Sequence, residues 1–430
     1  MSGSMYAAIS GLNVDQALLG VVSENIANVN TVGYKASSMT FAQALQQTLS
    51  GASAPTATLG GINPVQEAAG GAVNVAGVQI NTNEGTLQST GINTNLAIQG
   101  NGYFVVQTSQ GGLAYTRAGN FSLDANGNLV TPQGQKVLGW SSTTVANKAQ
   151  TGNNMVALTI PPNQTLPATA TGSNSSSTNP PITLSGNLNS QDTSASIPVT
   201  VYDSQGNQIP VTMTFTHPTA VSGGGMTWTV GYSYQLPGAS TATTGTLGQL
   251  TWTNGQLTSP SPTSTTALGT IAITPNDGSG PLNISVYPSS FANLTDYAMS
   301  TSITASANGN PAGTLENYTI GSDGTITGSF SNGKTQVLGQ VALANFTNPG
   351  GLLNIGNTLW QQSPNSGNPQ VGTASTGQLG SIAAGELEGS NVSLANEFVN
   401  MIIAQQGYQA NSKVITVSQT LDTTLVNAIQ

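Results

Sequence analysis

Residues 25–35 read NIANVNTVGYK. Asn25, Asn28 and Asn30, with Thr31, crowd the end of a run that has helical spacing. The stretch then closes on Gly33, Tyr34 and Lys35. A helix can stop on a single Asn or Gly in the left-handed conformation. Asn28 and Asn30 can satisfy the last free helical carbonyls. Gly33 supplies a positive φ, and Tyr34 turns the chain back onto the helix. The surplus of amides makes a neutral, hydrogen-bonding joint, of the kind that suits packing between like subunits.

Upstream, the spacing predicts a helix from about Ser4 to Asn28. Met5, Leu12, Leu19 and Ile26 recur every seven residues, with Ala8, Val22 and Val29 beside them. This is a coiled-coil-like signal. At 1.5 Å per residue the helix is roughly 36 Å long. Its other face is Ser, Asn, Gln and Gly rather than Lys and Glu, so other protein, not water, is expected around it. The far end mirrors this from about Val392. Leu394, Met401, Tyr408 and Ile415 step by seven, and Phe398, Leu421 and Leu425 extend the stripe with some drift. Ser390 and Asn391 offer an N-cap, and Glu397 lies in an early turn. Gly407 sits mid-helix at a cost of about 1 kcal/mol relative to Ala, which a close helix contact would explain. A neutral helix of this kind gains little until it packs, so both are expected to order on assembly.

The residues between are β-rich. LAIQGNGYFVVQ (96–107) reads as strand, turn, strand. An Asn126–Gly127 turn divides apolar runs within 115–140, which is a hairpin signal. In 196–217, Ile197, Val199 and Val201 face one way, as do Val211, Met213 and Phe215. Asp323–Gly324 turns another hairpin, and 337–346 is an apolar strand. The expected class is α+β: terminal helices bracketing nested β domains. The expected division is 1–30 with 385–430 as a helical domain and 31–73 as a Gly/Ala/Pro-rich connector. Residues 74–140 with 303–384 form a split inner β domain, and 141–302 an inserted outer one.

Composition narrows the function. Of 430 residues only 6 are Lys or Arg and 15 are Asp or Glu, and the net charge is −9. Charged residues are 5% of the chain, against about 25% in ordinary soluble domains. The basic residues, Lys35, Arg117, Lys136, Lys148, Lys334 and Lys413, are scattered, so no face can displace counterions from nucleic acid or bind an anionic membrane. There is no cysteine, which removes disulfides and thiolate metal sites. No apolar run approaches the roughly 20 residues needed to span a bilayer. The first residues lack the basic and apolar blocks of a cleavable secretory signal.

Motifs for chemistry are weak. The lone histidine, His217, has no nucleophile elbow to serve and reads as a surface residue at a strand end. Gly100-Asn-Gly102 lacks the third glycine and the helix of a dinucleotide site. DANGN (124–128) lacks the closing Glu of a calcium loop and reads as a turn. No catalytic residue, cofactor or metal is expected. Paired carboxylates for glycoside hydrolysis stay open in principle, with nothing pointing to them.

With both ends read, the resemblance is plain. ISGLNVDQALLGVVSENIANVNTVGYKAS is similar to the N-terminal signature of the bacterial flagellar rod and hook protein family, NIAN-x-NT-x-G-[YF]-K. ELEGSNVSLANEFVNMIIAQQGYQANSKVITVSQTLDTTLVNAI resembles the matching C-terminal signature, including Gly407 and Asn411. LAIQGNGYFVV, FSLDANGNLV and GQVALANFTNPGGL resemble its inner β domain. These matches cover roughly half the chain, in order. Gln406 departs from the Arg common there, so a salt bridge from that position is not carried over. Length and the central block are similar to the hook members rather than the distal rod members. The resemblance implies a homopolymer: a curved, flexible helical tube passing motor torque to the filament. It implies export by the flagellar type III apparatus without a cleaved signal, to the hook and basal body outside the cell. It also implies contacts with a distal rod protein, a hook cap protein and a hook–filament junction protein, and no membrane insertion. The rival readings are a distal rod subunit, a secreted β-rich adhesin, and an enzyme, which the single histidine disfavours.

Overall fold

The computed structural model describes residues 2–43, 46–50, 65–68, 73–147, 150, 154–173, 175–221 and 225–429. They form two compact units: 1–162 with 318–328 and 336–430, and 163–317 with 329–335.

In the first unit, a helix at Ser2–Ala27 packs along a second at Leu394–Ile429. After the first helix the chain enters a β-ribbon. Ser37–Gln43 pairs antiparallel with Val73–Ile80, and Gln46–Ser50 pairs with Val65–Ala68. From Ser37 on, the expected connector 31–73 is therefore ribbon wherever it is described; 44–45, 51–64 and 69–72 lie outside the described residues. The period-2 pattern explains it: Met39 sits across from Val78 and Phe41 across from Val75, apolar cross-strand pairs that stabilise a ribbon.

The sheet of this unit centres on Tyr103–Gln107, flanked by Leu113–Thr116 and Lys136–Ser141, all antiparallel. Thr335–Asn345 continues it beyond Lys136–Ser141, and Leu359–Gln361 then Leu353–Gly356 extend the other side. Late strands close on early ones. Ser381–Ala384 pairs with Leu96–Gln99, and Glu386–Glu388 with Leu87–Ser89. The two halves share one core of Tyr103, Val105, Tyr115, Trp140, Ala344 and Phe346. Tyr115 meets Phe346 edge-on, with ring centroids 4.8 Å apart. In the DANGN turn, Asp124 Oδ1 accepts from the Asn126 and Asn128 amides, and Gly127 takes φ 78°. These bonds hold the exposed Asp124 carboxyl below its usual range, the Asn128 side chain contributing most.

The second unit is a β-meander: Ser194–Tyr202, Gln208–Val221, Gly225–Tyr234, Thr243–Thr253 and Gln256–Ser259, paired in sequence order. As the alternation predicts, Val199 lies across from Val211 and Ile197 from Met213, and Val211, Met213 and Phe215 are fully buried. Trp228, Trp252, Ile271, Ile284 and Phe291 complete that core. A second small sheet sets Ile182–Asn189 between Asn293–Tyr297 and Ser302–Ala307.

Three expectations change. The inserted block does not run 141–302. Val156–Ala157 pairs with Lys136–Ser141, which keeps 141–162 in the first unit. Ser302–Ala307 pairs with Ile182–Asn189, which draws 303–317 into the second. His217 is not a surface strand end. Its strand runs on to Val221, and its ring packs edge-on against Trp228 at 5.0 Å. Finally, Ser4–Ala27 is long and apolar enough to cross a bilayer by length and composition alone. Its many small residues, rather than a run of large apolar ones, account for this. In the fold one flank of that helix carries Asp15 and faces the C-terminal helix.

Candidate functional site

NIANVNTVGYK is the joint where the first helix meets the inner sheet and the returning chain. Asn28 Nδ2 donates to the Glu24 carbonyl at 2.9 Å, and Thr31 Oγ1 to Asn28 Oδ1 at 3.0 Å. Asn30 is exposed. Asn25 faces inward and is 1% exposed. Its Nδ2 donates to the Ser37 carbonyl at 2.8 Å, while its Oδ1 accepts from Ser37 N and the Tyr34 hydroxyl. One helical amide thus fixes both the departing strand and the returning ring. Gly33 takes φ 67°, and its N–H donates to the Glu388 carbonyl at 2.8 Å.

Burial pushes the Tyr34 hydroxyl up to about 12, helped by the Glu24 and Glu397 carboxylates. In an unfolded chain a tyrosine ionises near 10. Between those values the unfolded chain releases a proton that the folded chain keeps, so stability falls as pH rises. The urea midpoint is expected to drop across pH 10 to about 12, and Tyr34→Phe to flatten that slope in part. Tyr103, Tyr115 and Tyr318, also raised by burial, contribute to the remainder. An unchanged slope in Tyr34→Phe would show that Tyr34 holds no such proton.

Beneath Tyr34 lies a buried ion cluster. Lys35 Nζ donates to Glu388 Oε1 at 2.6 Å and to the Asn83 carbonyl at 2.7 Å. Arg117 donates to Glu388 Oε2 at 3.3 Å, and to the Ile98 and Gly100 carbonyls. Gly85 N also donates to Glu388 Oε1. The Glu388 side chain is 0% exposed, and the Arg117 guanidinium lies over the Tyr103 ring at 5.5 Å. Burial pulls the Lys35 ammonium below its usual value, and the Glu388 carboxylate opposes that pull. Asn391 closes the joint from the C-terminal side. Its Oδ1 accepts from Ala36 N, and its Nδ2 donates to the Asn81 and Asn83 carbonyls. Sequence reading found Lys35 and missed Arg117, Glu388 and this role of Asn391. A signal was present, because in a chain so poor in charge each charged residue in a β-rich stretch is a candidate for burial with a partner.

The terminal helices divide their faces unexpectedly. Met5, Leu12, Leu19 and Ile26 are half-buried; the deepest positions on that helix are Ala8, Gly11, Val14, Val22 and Asn25. On the C-terminal helix Ala404 is fully buried, Glu397 and Ser418 nearly so, and Met401, Gly407, Asn411 and Ile415 half-buried. Leu394, Phe398, Tyr408, Leu421 and Leu425 are exposed. Around Gly11 and Gly407 the shared seam is small and polar, and most of the large apolar residues of the C-terminal helix are exposed. Gly407 faces Asp15: a Cβ there would stand 2.8 Å from Asp15 Oδ1. Among the described residues no three His, Cys, Asp or Glu side chains gather as metal ligands.

Known proteins match this chain over nearly its full length. Residues 5–35 match the family "Flagella basal body rod protein" and 383–428 match "Flagellar basal body rod FlgEFG protein C-terminal". Residues 97–174 match "Flagellar hook protein FlgE/F/G D1 domain" and 173–310 "Flagellar basal body protein FlaE D2 domain". The flagellar hook protein FlgE of Escherichia coli is 35% identical over 98% of each chain. That of Salmonella typhimurium is 35% identical, and that of Treponema pallidum 33%, each over 99% of both chains. A crystal structure of Helicobacter pylori flagellar hook protein FlgE2 is similar over 70% of this chain and all of that one, at 16% identity and a TM-score of 0.48. From its N-terminal joint through its central block to its C-terminal helix, the chain belongs to the flagellar hook protein FlgE family.

Proposed function

We propose that the chain works as the structural subunit of the bacterial flagellar hook, and that its terminal helices build the wall of the tube. The observation that carries this is the outward face of the C-terminal helix. Val399, Ile403, Val414, Val417, Leu421 and Leu425 form a stripe at helical spacing, with Ile403 58% and Leu421 56% exposed. An apolar stripe of that length on a soluble chain marks an interaction surface. Copies of the same chain are its occupant: family membership supplies the polymer, and the half-buried Met5, Leu12, Leu19 and Ile26 supply a second stripe to meet it. Completing the burial of one half-exposed Leu or Ile contributes about 1 kcal/mol. Around Gly11 and Gly407 the intrachain seam is small and polar, so the helix pair consolidates as neighbours cover it.

The tube bends as it turns, passing torque to the filament. There is no Lys or Arg between Lys148 and Lys334, so the surface of the second unit offers few ion pairs to fix one register between copies. Its partners would be the distal rod protein, the hook cap protein and the hook–filament junction protein, reached through the flagellar type III export apparatus. The distal rod alternative is weaker, because 173–310 matches a D2 domain and the relatives above are hook proteins. The relatives carry the name of a structural component, which gives no support to an enzyme or adhesin reading.

Ile403→Asp with Leu421→Asp tests the proposal. Electron microscopy of cells carrying only this variant is expected to show no hooks, while the thermal unfolding of the β units stays within a few degrees of wild type. Normal hooks from the variant would place assembly elsewhere.

A further inference from the structure

The seam between the terminal helices contains a reciprocal arrangement. The first helix reads Gly11-x-x-x-Asp15 and the second Gly407-x-x-x-Asn411. A Cβ on Gly11 would stand 2.5 Å from Asn411 Nδ2, and one on Gly407 2.8 Å from Asp15 Oδ1. The helices therefore run antiparallel here, 11 against 411 and 15 against 407. Each glycine is the hole that receives the other helix's polar side chain. The two side chains then bond to each other, Asn411 Nδ2 donating to Asp15 Oδ2 at 3.0 Å.

Several other buried positions on these helices, Ala8, Ala404 and Ser418, are small, and small side chains fit nearly as well one turn along. A polar pair within a helix seam is the best-attested device for specifying register.

We propose that Gly11, Asp15, Gly407 and Asn411 form a register lock, fixing the axial offset of the two terminal helices. A slip of one turn displaces one helix against the other by about 5.4 Å. Every outward apolar residue of the C-terminal helix would then be misplaced against a neighbouring copy. Only that last consequence rests on the hook reading; the lock itself is a property of the single chain.

Two experiments separate the lock from the reading of function. In cells carrying only the variant chain, N411D places two carboxylates face to face and is expected to lower hook number at least tenfold. The exchange D15N/N411D restores the amide–carboxylate bond with roles reversed, and is expected to return hook number to within twofold of wild type. An exchange as defective as N411D alone would overturn the lock. The second readout needs no hooks. The offset that pairs 11 with 411 and 15 with 407 also sets 18 opposite 404. The chain has no cysteine, so Leu18→Cys with Ala404→Cys introduces the only thiols. In the purified full chain, oxidation is expected to cross-link 18 to 404 several-fold faster than Leu18→Cys with Tyr408→Cys, one turn away. Adding Asp15→Ala and Asn411→Ala is expected to erase that preference. If the preference survives both alanines, the quartet does not set the register.

Discussion

Glu388→Gln is expected to lower the stability of the first unit by about 3–5 kcal/mol, the loss seen when one partner of a buried ion pair is removed. Glu388 pairs with both Lys35 and Arg117, and both are almost fully buried. Glutamine keeps the shape and one acceptor oxygen. It removes the charge and turns an N–H₂ toward a cation. The Asn83, Ile98 and Gly100 carbonyls can solvate the two cations only in part. Lys35→Met should cost less, because Glu388 would keep Arg117 and the Gly85 amide. The order of urea midpoints, wild type above Lys35→Met above Glu388→Gln, is the check. If Glu388→Gln unfolded at the wild-type midpoint, the cluster would hold nothing together. Because Glu388 also takes the Gly33 N–H on its carbonyl, loosening it should release the NTVGYK turn and reduce hook assembly with it.

That cluster shows where the sequence was legible and where it was not. The helices and hairpins were readable because their evidence is local: seven-residue steps, period-2 alternation, and Asn–Gly or Asp–Gly turns. The Val211, Met213 and Phe215 face went to the core as the alternation requires. The ion cluster was hidden because Lys35 and Glu388 are 353 residues apart, and one sequence carries no sign of which distant charge closes on which. The helix seam was hidden for a different reason. Seven-residue periodicity finds the large apolar residues, which sequence reading assigns to assembly. The pair meets through Gly11, Asp15, Gly407 and Asn411, residues that a hydrophobic pattern does not weigh. The ribbon within 31–73 was missed because its glycine, alanine and proline content reads as a linker, while the paired strands lie at its two ends.

Gly33→Ala is the second change with a large expected effect, and its neighbours in kind make the cause separable. Gly33 has φ 67°, which costs an L-residue roughly 1–2 kcal/mol. It is also pressed on backbone: a Cβ would stand 2.4 Å from Ala118 N and 2.7 Å from the Arg117 carbonyl carbon. A backbone atom cannot rotate aside, so the turn or the strand must shift, at a further cost of about 1–3 kcal/mol. Arg117 belongs to the ion cluster, so the shift is transmitted to Glu388. Gly91 has nearly the same backbone, φ 69°, with nothing within 4 Å of the added carbon. Gly91→Ala should therefore show the conformational cost alone. Gly20 is mid-helix with open space around it, and Gly20→Ala should stabilise by about 1 kcal/mol through helix propensity. The expected order of urea midpoints is Gly20→Ala above wild type, then Gly91→Ala, then Gly33→Ala by a clear margin. If Gly33→Ala fell no further than Gly91→Ala, the glycine would be there for its φ alone. The close contact between the NTVGYK turn and the Arg117–Ala118 backbone would then not be what seats the helix on the sheet.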